Sequence, residues 1–165
     1  MAAIDSTGTP FKWPGSGDIT ITDGSANSLA MSLIGSFSWS QAGRTKVEVM
    51  ERRRHQGTPV ILETDDATCE ISISGKITSF SGSSNVHPFE ALTQSGNASG
   101  WTKVGGGDAY TYQLTAVATH PDGSTQTLTF TPVATTSLSA NLDGEEGQAT
   151  FEATLTAYMN APTVA

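Results

Sequence analysis

The stretch that most constrains the fold is residues 110–133, which have the pattern of one complete β-hairpin. Apolar side chains stand at alternate positions in its two runs: Tyr112, Leu114 and Ala116, then Leu128 and Phe130. Polar residues fill the positions between them, and this period of two predicts a pair of half-buried strands. The segment HPDGS between the runs favours a turn, because proline presets φ and glycine accepts a positive φ. The sequence therefore predicts a sheet protein with one apolar and one hydroxyl-rich face, which could meet solvent, a carbohydrate or the lumen of an assembly.

The same alternation recurs along the chain and predicts further strands at residues 18–22, 29–40, 69–77 and 148–159. The last is the clearest, because every second residue from Ala149 to Met159 is apolar and most of the residues between them are polar. Residues 135–141 are interpreted as a connector or a short strand. No repeat of fixed period appears, so the 165 residues are expected to form a single domain, 1–165.

Residues 86–95 are the only stretch with the pattern of a helix. Asn85 could cap it, Pro88 suits its first turn and Gly96 could end it. One short helix among many strands predicts an all-β protein with a single short α-helix.

Composition excludes some classes of protein. The single cysteine, Cys69, excludes an intramolecular disulfide and fits a reducing compartment or a cytosolic assembly pathway. The N-terminus lacks the basic and apolar pattern of a secretory signal, and no apolar run approaches the ~20 residues of a membrane span. We therefore expect a soluble, unprocessed chain without a membrane anchor.

Charge is unevenly distributed along the chain. Sixteen acidic residues against eight Lys and Arg give a formal net charge of −8, which argues against sequence-reading contacts with nucleic acid. Five of the eight basic residues fall within residues 44–54: Arg44, Lys46, Arg52, Arg53 and Arg54. The rest of the chain is strongly acidic. Such a surface could pair with a copy of itself, basic segment to acidic segment.

Three segments are expected to be irregular. Residues 1–17 are interpreted as an N-terminal arm with Phe11 and Trp13 as aromatic anchors. Residues 44–59 are interpreted as a protruding basic loop, and residues 160–165 as a short C-terminal tail. A charge run is usually a solvated loop, but three consecutive arginines repel one another unless acidic residues come near.

Motifs for catalysis or metal binding are weak. The histidines His55, His87 and His120 are far apart, and none stands in a metal-ligand spacing with Cys69. The paired carboxylates are consecutive residues, so strand geometry points them to opposite faces rather than across a cleft. The glycines at 105–107 lack the following Lys and Ser or Thr of a phosphate cradle. We expect no catalytic site, no metal and no cofactor.

The order of these parts resembles the tail tube, or major tail, proteins of long-tailed bacteriophages. The matching parts span roughly residues 19–159 and begin with a strand, a charged excursion starting RTKVE, the basic loop ERRRHQG, a return ending TDDA and the strand CEISISGKI. A short helix, a strand pair turned at Pro-Asp-Gly and a final alternating strand after an acidic glycine turn complete the match.

The resemblance implies a β-sandwich or flattened barrel with one flanking helix. In that family six copies join their sheets into a ring with a continuous inner β-barrel, and the rings stack into a tube. The long loop between the early strands reaches the adjacent ring, and the N-terminal arm adds contacts. The implied inter-ring or inter-subunit contact residues are Arg44, Lys46, Arg52, Arg53 and Arg54, with Asp65, Asp66, Glu145 and Glu146 as candidate acceptors.

The resemblance also implies a structural protein of the virion tail, assembled in the host cytoplasm. Its partners would be further copies of itself in homohexameric rings and other tail proteins, such as the tape measure and terminator proteins. DNA would pass through the tube during infection without specific binding. A shared barrel would remove exposed strand edges, and a hydroxyl- and acid-rich face would line the lumen.

Two other hypotheses stay open. One is a β-sandwich module that decorates a virion or binds carbohydrate, for which the threonine-rich faces and Trp101, in a glycine-rich loop, would serve. The other is an enzyme, which would need an isolated carboxylate or histidine of perturbed pKa in a pocket. A tube protein polymerises, whereas a binding module stays monomeric or trimeric.

Overall fold

Antiparallel strands make up most of the structure, a computed structural model that describes residues 16–42, 46–49, 60–63, 68–119, 123–143, 148–159 and 161–165. The strands and the α-helix of these residues are β1 (Ser16–Thr22), β2 (Ser28–Ala42), β3 (Lys46–Val49), β4 (Val60–Glu63), β5 (Thr68–Gly82), α1 (Pro88–Thr93), β6 (Tyr112–Thr119), β7 (Thr125–Asp143), β8 (Gln148–Ala157) and β9 (Thr163–Val164). Single 3₁₀ turns at Ser83–Asn85 and Gly96–Ala98 flank the helix.

Six of the strands close into a barrel. They are hydrogen-bonded in the order β6-β1-β2-β5-β8-β7, and β7 pairs with β6 to complete the ring. Every pairing is antiparallel, and β3 and β4 form a separate two-stranded sheet. The prediction of an all-β fold with one short flanking helix is confirmed. No helix within the described ranges is long and apolar enough to cross a membrane.

The barrel interior is filled by the alternate apolar positions that the sequence pattern predicts. Leu114 pairs with Phe130 and Ala116 with Leu128, so the hairpin has the expected register. The buried strand residues are Ile19, Ile21, Leu29, Met31, Leu33, Cys69, Ile71, Ile73, Tyr112, Leu114, Ala116, Ala118, Phe130, Val133, Phe151, Ala153, Leu155 and Ala157. Burial of each large side chain contributes about 1.5–3 kcal/mol, which makes this interior the main source of stability.

The strand β7 is longer than the sequence suggests. Residues 135–141, predicted as a connector or short strand, are the second half of a 19-residue strand. The strand pairs with β6 along one edge as far as Val133 and with β8 along the other edge from Val133 to Asp143. Proline inside a run usually marks a strand end, but Pro132 lies where the strand changes neighbours and so interrupts neither ladder for long.

The C-terminal residues also take part in the sheet. Residues 160–165 were expected to be a short tail, and within them β9 pairs with Leu128 and Thr129 of β7. Ala165 and Thr127 exchange two backbone hydrogen bonds, at 2.8 and 3.0 Å. The tail therefore extends the line of β8 along the same edge of β7.

The helix begins two residues later than predicted. His87, not Asn85, is the N-cap: its Nδ1 accepts a hydrogen bond from the Phe89 N–H at 3.4 Å. Glu90 accepts the His87 N–H at 2.9 Å, which completes a capping box. Pro88 occupies the first helical turn as predicted, and this position itself requires the cap to be the preceding residue. The helix ends at Thr93, and its C-cap is Gln94 in the left-handed conformation, two residues before the expected end at Gly96.

Two glycines let β2 and β5 approach closely. Gly35 and Gly75 are register partners, and a Cβ on Gly35 would lie 2.1 Å from the Ser74 carbonyl oxygen. Phe151 of β8 pairs with Gly75, so an aromatic residue lies next to the point where β2 and β5 approach closely. Backbones this close leave no room for a side chain at either glycine.

We predict that Gly35→Ala lowers the free energy of unfolding by about 1–3 kcal/mol, because the added methyl group overpacks the crossing. Urea unfolding monitored by circular dichroism measures this change. Gly100→Ala is the matched control, since a Cβ on Gly100 meets no atom within 4 Å. Equal stability of the two variants would contradict the assignment of this crossing as a close approach.

Candidate functional site

The strands β2, β5, β8 and β7 form a four-stranded sheet whose outward face is hydroxyl-rich. Serine and threonine dominate this hydroxyl face, which comprises Ser36, Ser38, Ser40, Glu70, Ser72, Ser74, Lys76, Ser137, Ser139, Asn141, Thr150, Glu152, Thr154 and Thr156. Its side chains are exposed or half-buried, whereas the opposite face supplies the barrel interior. The sheet thus separates a polar outer surface from an apolar inner one.

The hydroxyl face carries few charges and is internally hydrogen-bonded. Ser36 and Ser74 are joined across β2 and β5 at 2.8 Å between their Oγ atoms. Its charged residues are Glu70, Glu152 and Lys76, so the formal charge of this part of the surface is −1. A surface of this kind offers short hydroxyl groups without a concentrated charge of either sign.

Both outer edges of this sheet lack a second strand among the described residues. The strand β2 pairs with β1 only as far as Ile34, so no described strand flanks residues 38–42 on that side. The strand β7 pairs with β6 only as far as Val133, so residues 134–143 have β8 on one side alone. These two edges contain no lysine, arginine or proline, the residues with which monomeric proteins protect an edge strand.

The two edges run in opposite directions and turn the same polar face outward, so they can pair with each other. Three antiparallel steps separate β2 from β7, so these strands run antiparallel to each other. Both point serines outward: Ser38 and Ser40 on β2, Ser137 and Ser139 on β7. The β7 edge of one copy can therefore continue the sheet alongside the β2 edge of another without exchanging the polar and apolar faces.

An apolar cavity opens on the inner side of the same sheet. The pairing of β5 with β8 stops at Lys76 and Thr150, and beyond this point the two strands diverge. The gap is a cavity of about 590 Å³. It is lined by Ile77, Thr78, Ser79, Phe80, His87, Phe89, Ala140, Thr150 and Phe151.

Aromatic rings form the wall of this cavity. The His87 ring stacks on Phe89 with a centroid distance of 5.1 Å, and it meets Phe80 edge to face at 5.1 Å. Phe89 packs against Phe151 at 5.5 Å. Phe80 is 45% exposed, so the wall is open to solvent on one side.

The helix that bears part of this wall is fixed to the barrel by tyrosine and threonine hydroxyls. The Tyr110 hydroxyl donates to the Ala91 carbonyl at 3.1 Å, and the Thr135 hydroxyl donates to the Leu92 carbonyl at 2.9 Å. Tyr112 shares a hydrogen bond with Thr135 at 2.9 Å. Burial raises the pKa of Tyr110 to about 12 and also raises the pKa of Tyr112, so both phenols stay protonated and able to donate.

The structure does not place most of the predicted contact residues. Outside the described residues lie Phe11, Trp13, Arg44, Arg52, Arg53, Arg54, Asp65, Asp66, Glu145 and Glu146. Lys46 is the first residue of β3, where its backbone pairs with Glu63. The strands β3 and β4 are therefore antiparallel, and the three consecutive arginines fall in the segment of sequence between them.

The binding-module hypothesis loses one of its two supports. Trp101 is only 5% exposed, and its carbonyl accepts a hydrogen bond from the Gln94 amide at 2.6 Å. A buried indole cannot present a flat surface to a sugar, so the expectation of an exposed Trp101 is wrong. Trp101 instead belongs to the buried core.

Sequence reasoning missed the two strand edges and the cavity. Trp39 was assigned to a strand face, but it is 40% exposed beside the outer edge of β2. Which strand neighbours which is not encoded in local periodicity, so no signal in one sequence could have revealed the edges. The uncharged runs SWSQA and ATTSLSANL were the only available hint.

Comparison with protein-family models matches no family, and comparison with curated proteins finds no relative.

Asp23 is the only charged residue that is buried among those the structure describes, and its contacts are structural. Its carboxylate accepts hydrogen bonds from the N–H groups of Ser25, Asn27 and Thr102 at 2.7–2.9 Å, and from the Asn27 side-chain amide at 2.9 Å. These bonds fasten the β1–β2 turn to the loop that precedes β6. Burial by itself raises the pKa of Asp23, but the donated hydrogen bonds outweigh it and hold the pKa below its usual value.

We predict that acidification removes the stabilisation by Asp23. The pKa of Asp23 is lower in the folded chain than in the unfolded chain, where it is about 3.9, so the unfolded chain binds the proton more readily. The stabilisation by Asp23 is therefore complete above the unfolded pKa and is lost as the pH falls through the lower folded pKa. Asp23→Asn, which offers one acceptor oxygen instead of two, should cost about 1–3 kcal/mol at pH 7. Urea unfolding at pH 7 and pH 3 should give a smaller difference between wild type and variant at pH 3. A difference that does not shrink at pH 3 would contradict this prediction.

Proposed function

We propose that the protein is a structural protein that polymerises through its sheet edges into rings and stacked tubes, as a tail tube protein of a long-tailed bacteriophage virion. The observation that carries the proposal is the pair of strand edges without lysine, arginine or proline on the two sides of one four-stranded sheet, neither of which is paired by another described strand. Edges of this kind associate readily with strands of another chain. Repetition of one such contact between identical copies closes into a ring when the rotation between copies permits.

The two faces of the sheet favour a tube with one polar side over an open fibre in which polar and apolar faces alternate from copy to copy. Each copy brings four strands, and antiparallel pairing of β7 with the next β2 keeps every hydroxyl face on the same side. A closed sheet of this kind has no remaining edge. In six copies it would be a continuous inner barrel with the hydroxyl face towards the lumen.

The chemistry of the hydroxyl face suits a passage for DNA. Its outward side chains are mainly serine and threonine, with a formal charge of −1 in each copy. Six copies would carry a formal charge of −48 in total, six times −8. This field disfavours a phosphate backbone resting on the wall, so DNA would pass without binding.

Stacking of rings is the second part of the proposal. The basic segment that contains Arg52, Arg53 and Arg54 would meet acidic residues of the adjacent ring. Assembly would take place in the host cytoplasm, where tape measure and terminator proteins would set the length and end of the tube. No catalytic role is proposed.

We predict that Ala140→Lys prevents ring and tube formation. Ala140 is exposed on β7 beyond its β6-paired part, so the monomer tolerates the change, but a joined sheet would bury an unpaired ammonium. The concentration needed for assembly should rise about a hundredfold or more. Negative-stain electron microscopy and sedimentation velocity across protein concentration measure it.

The control is Ala109→Lys, which adds the same charge at an exposed loop position. Wild type and Ala109→Lys should form hollow rods or stacked rings with a central channel. Wild type that stays monomeric even when concentrated would contradict the proposal and favour the binding module. Undiminished assembly of Ala140→Lys would exclude the β7 edge as the contact.

We predict that changing Arg52, Arg53 and Arg54 together to Glu leaves the fold and the rings intact but prevents stacking. The reversal places like charges opposite one another where opposite charges are expected. Electron microscopy should show single rings in place of rods. Tubes of unchanged length in this variant would contradict the assignment of the basic segment.

A further inference from the structure

Two apolar features lie on the same side of the four-stranded sheet at its opposite edges. One is Trp39, whose ring packs against Phe130 with a centroid distance of 6.1 Å, although the residue is still 40% exposed. The other is the cavity walled by Phe80, Phe89 and Phe151, which reaches Ala140 near the open edge of β7. Of the exposed large apolar residues described, Trp39 alone lies on the inner face beside an open strand edge.

Closure of a barrel fixes how neighbouring copies are offset. Within one copy, Trp39 shares a row with Ile71, Leu155 and Thr135. Strands in a closed barrel tilt, and a tilt near 36° corresponds to a stagger of about one residue per strand. Across four strands the stagger adds up to about four residues. In a joined sheet, Trp39 of the next copy would therefore lie about four residues along β7 from Thr135, the β7 residue of its row within one copy. This count allows for the register shift between Thr135 and Ser137.

Only one direction of this stagger is sterically open. Movement towards lower residue numbers would bring Trp39 beside residues 131–132 of β7, where the same edge is already paired with β6. Movement towards higher numbers brings it beside Ala140, which lines the cavity. The two residues would also lie on the same face of the joined sheet, because Trp39 and Ala140 both point to the inner face.

We propose that the cavity receives the indole ring of Trp39 from the neighbouring copy, and that this contact sets the register between copies. The inference rests on the proposed assembly through sheet edges and deepens it by naming the residue that each copy contributes to its neighbour. The occupant is a second copy of this chain, because the exposed ring and the open cavity lie beside two edges that run antiparallel, turn the same face outward and contain no lysine or arginine. An aromatic side chain buries 150–250 Å² and is a common anchor of interfaces.

Disulfide cross-linking tests the contact directly. In the double variant Trp39→Cys/Ala140→Cys, the two cysteines of adjacent copies would be cross-strand neighbours, within the 4.4–6.8 Å Cα separation that a disulfide needs. Within one copy β5 and β8 lie between them, which separates them by at least about 14 Å. Mild oxidation of the assembled double variant should give a ladder of covalent oligomers on a non-reducing gel.

The single variants are the matched controls. A mixture of Trp39→Cys and Ala140→Cys should stop at dimers, and wild type should give no cross-link because Cys69 is fully buried. A second measurement compares Trp39→Ala with Tyr158→Ala, which removes an aromatic ring that is 56% exposed elsewhere on the surface. The concentration for assembly should rise at least tenfold for Trp39→Ala and stay unchanged for Tyr158→Ala.

The outcomes separate this inference from the proposed function. Tubes of wild type with a ladder in the double variant support both. If wild type forms tubes but the double variant gives no ladder, the Trp39 contact is overturned and the proposed tube stands. Normal assembly of Trp39→Ala would lead to the same conclusion. Monomeric wild type at every concentration overturns the contact and the tube together.

Discussion

The pairing of strand edges is the constraint on which the rest of this structure depends. Backbone N–H and C=O groups need partners, and this chain satisfies most of them by closing six strands into a ring. The ring closes, but β7 is longer than its β6 neighbour and β2 is longer than its β1 neighbour, so part of each long strand extends beyond that neighbour. The overhanging halves are the outer strands of the four-stranded sheet, and no described strand pairs with their outer edges. One set of strands thus serves both the barrel of the monomer and the sheet proposed to build the assembly.

The helix and the cavity follow from the same geometry. Because β5 and β8 part beyond Lys76, the inner face of the sheet is exposed at one end, and α1 covers only some of it. The hydroxyls of Tyr110 and Thr135 bond to carbonyls near the end of the helix and so fix its position on the barrel beside the gap.

The sequence predicts the faces of strands well and their neighbours poorly. Period-two alternation identified the hairpin and β8, because burial on one side of a strand is a local pattern. The extent of β7 was missed since Pro132 and the following serines and threonines weaken that pattern without ending the strand. Asn85 was the expected cap on side-chain preference alone, whereas the position of Pro88 determined the cap as His87. The edges and the cavity depend on pairings between distant segments, which periodicity does not contain.

The closing strand pair also bears on how the chain reaches its native state. Ile19 of β1 pairs with Ala116 of β6, about a hundred positions later, so the ring cannot close until most of the chain is present. Domains dominated by such distant contacts fold in milliseconds to seconds rather than microseconds. During that interval uncharged strands such as SWSQA have no neighbour and can pair wrongly with other nascent chains. A chaperone that shields these strands during that interval would therefore raise the yield of correctly folded protein more than it would for a helical protein of this size.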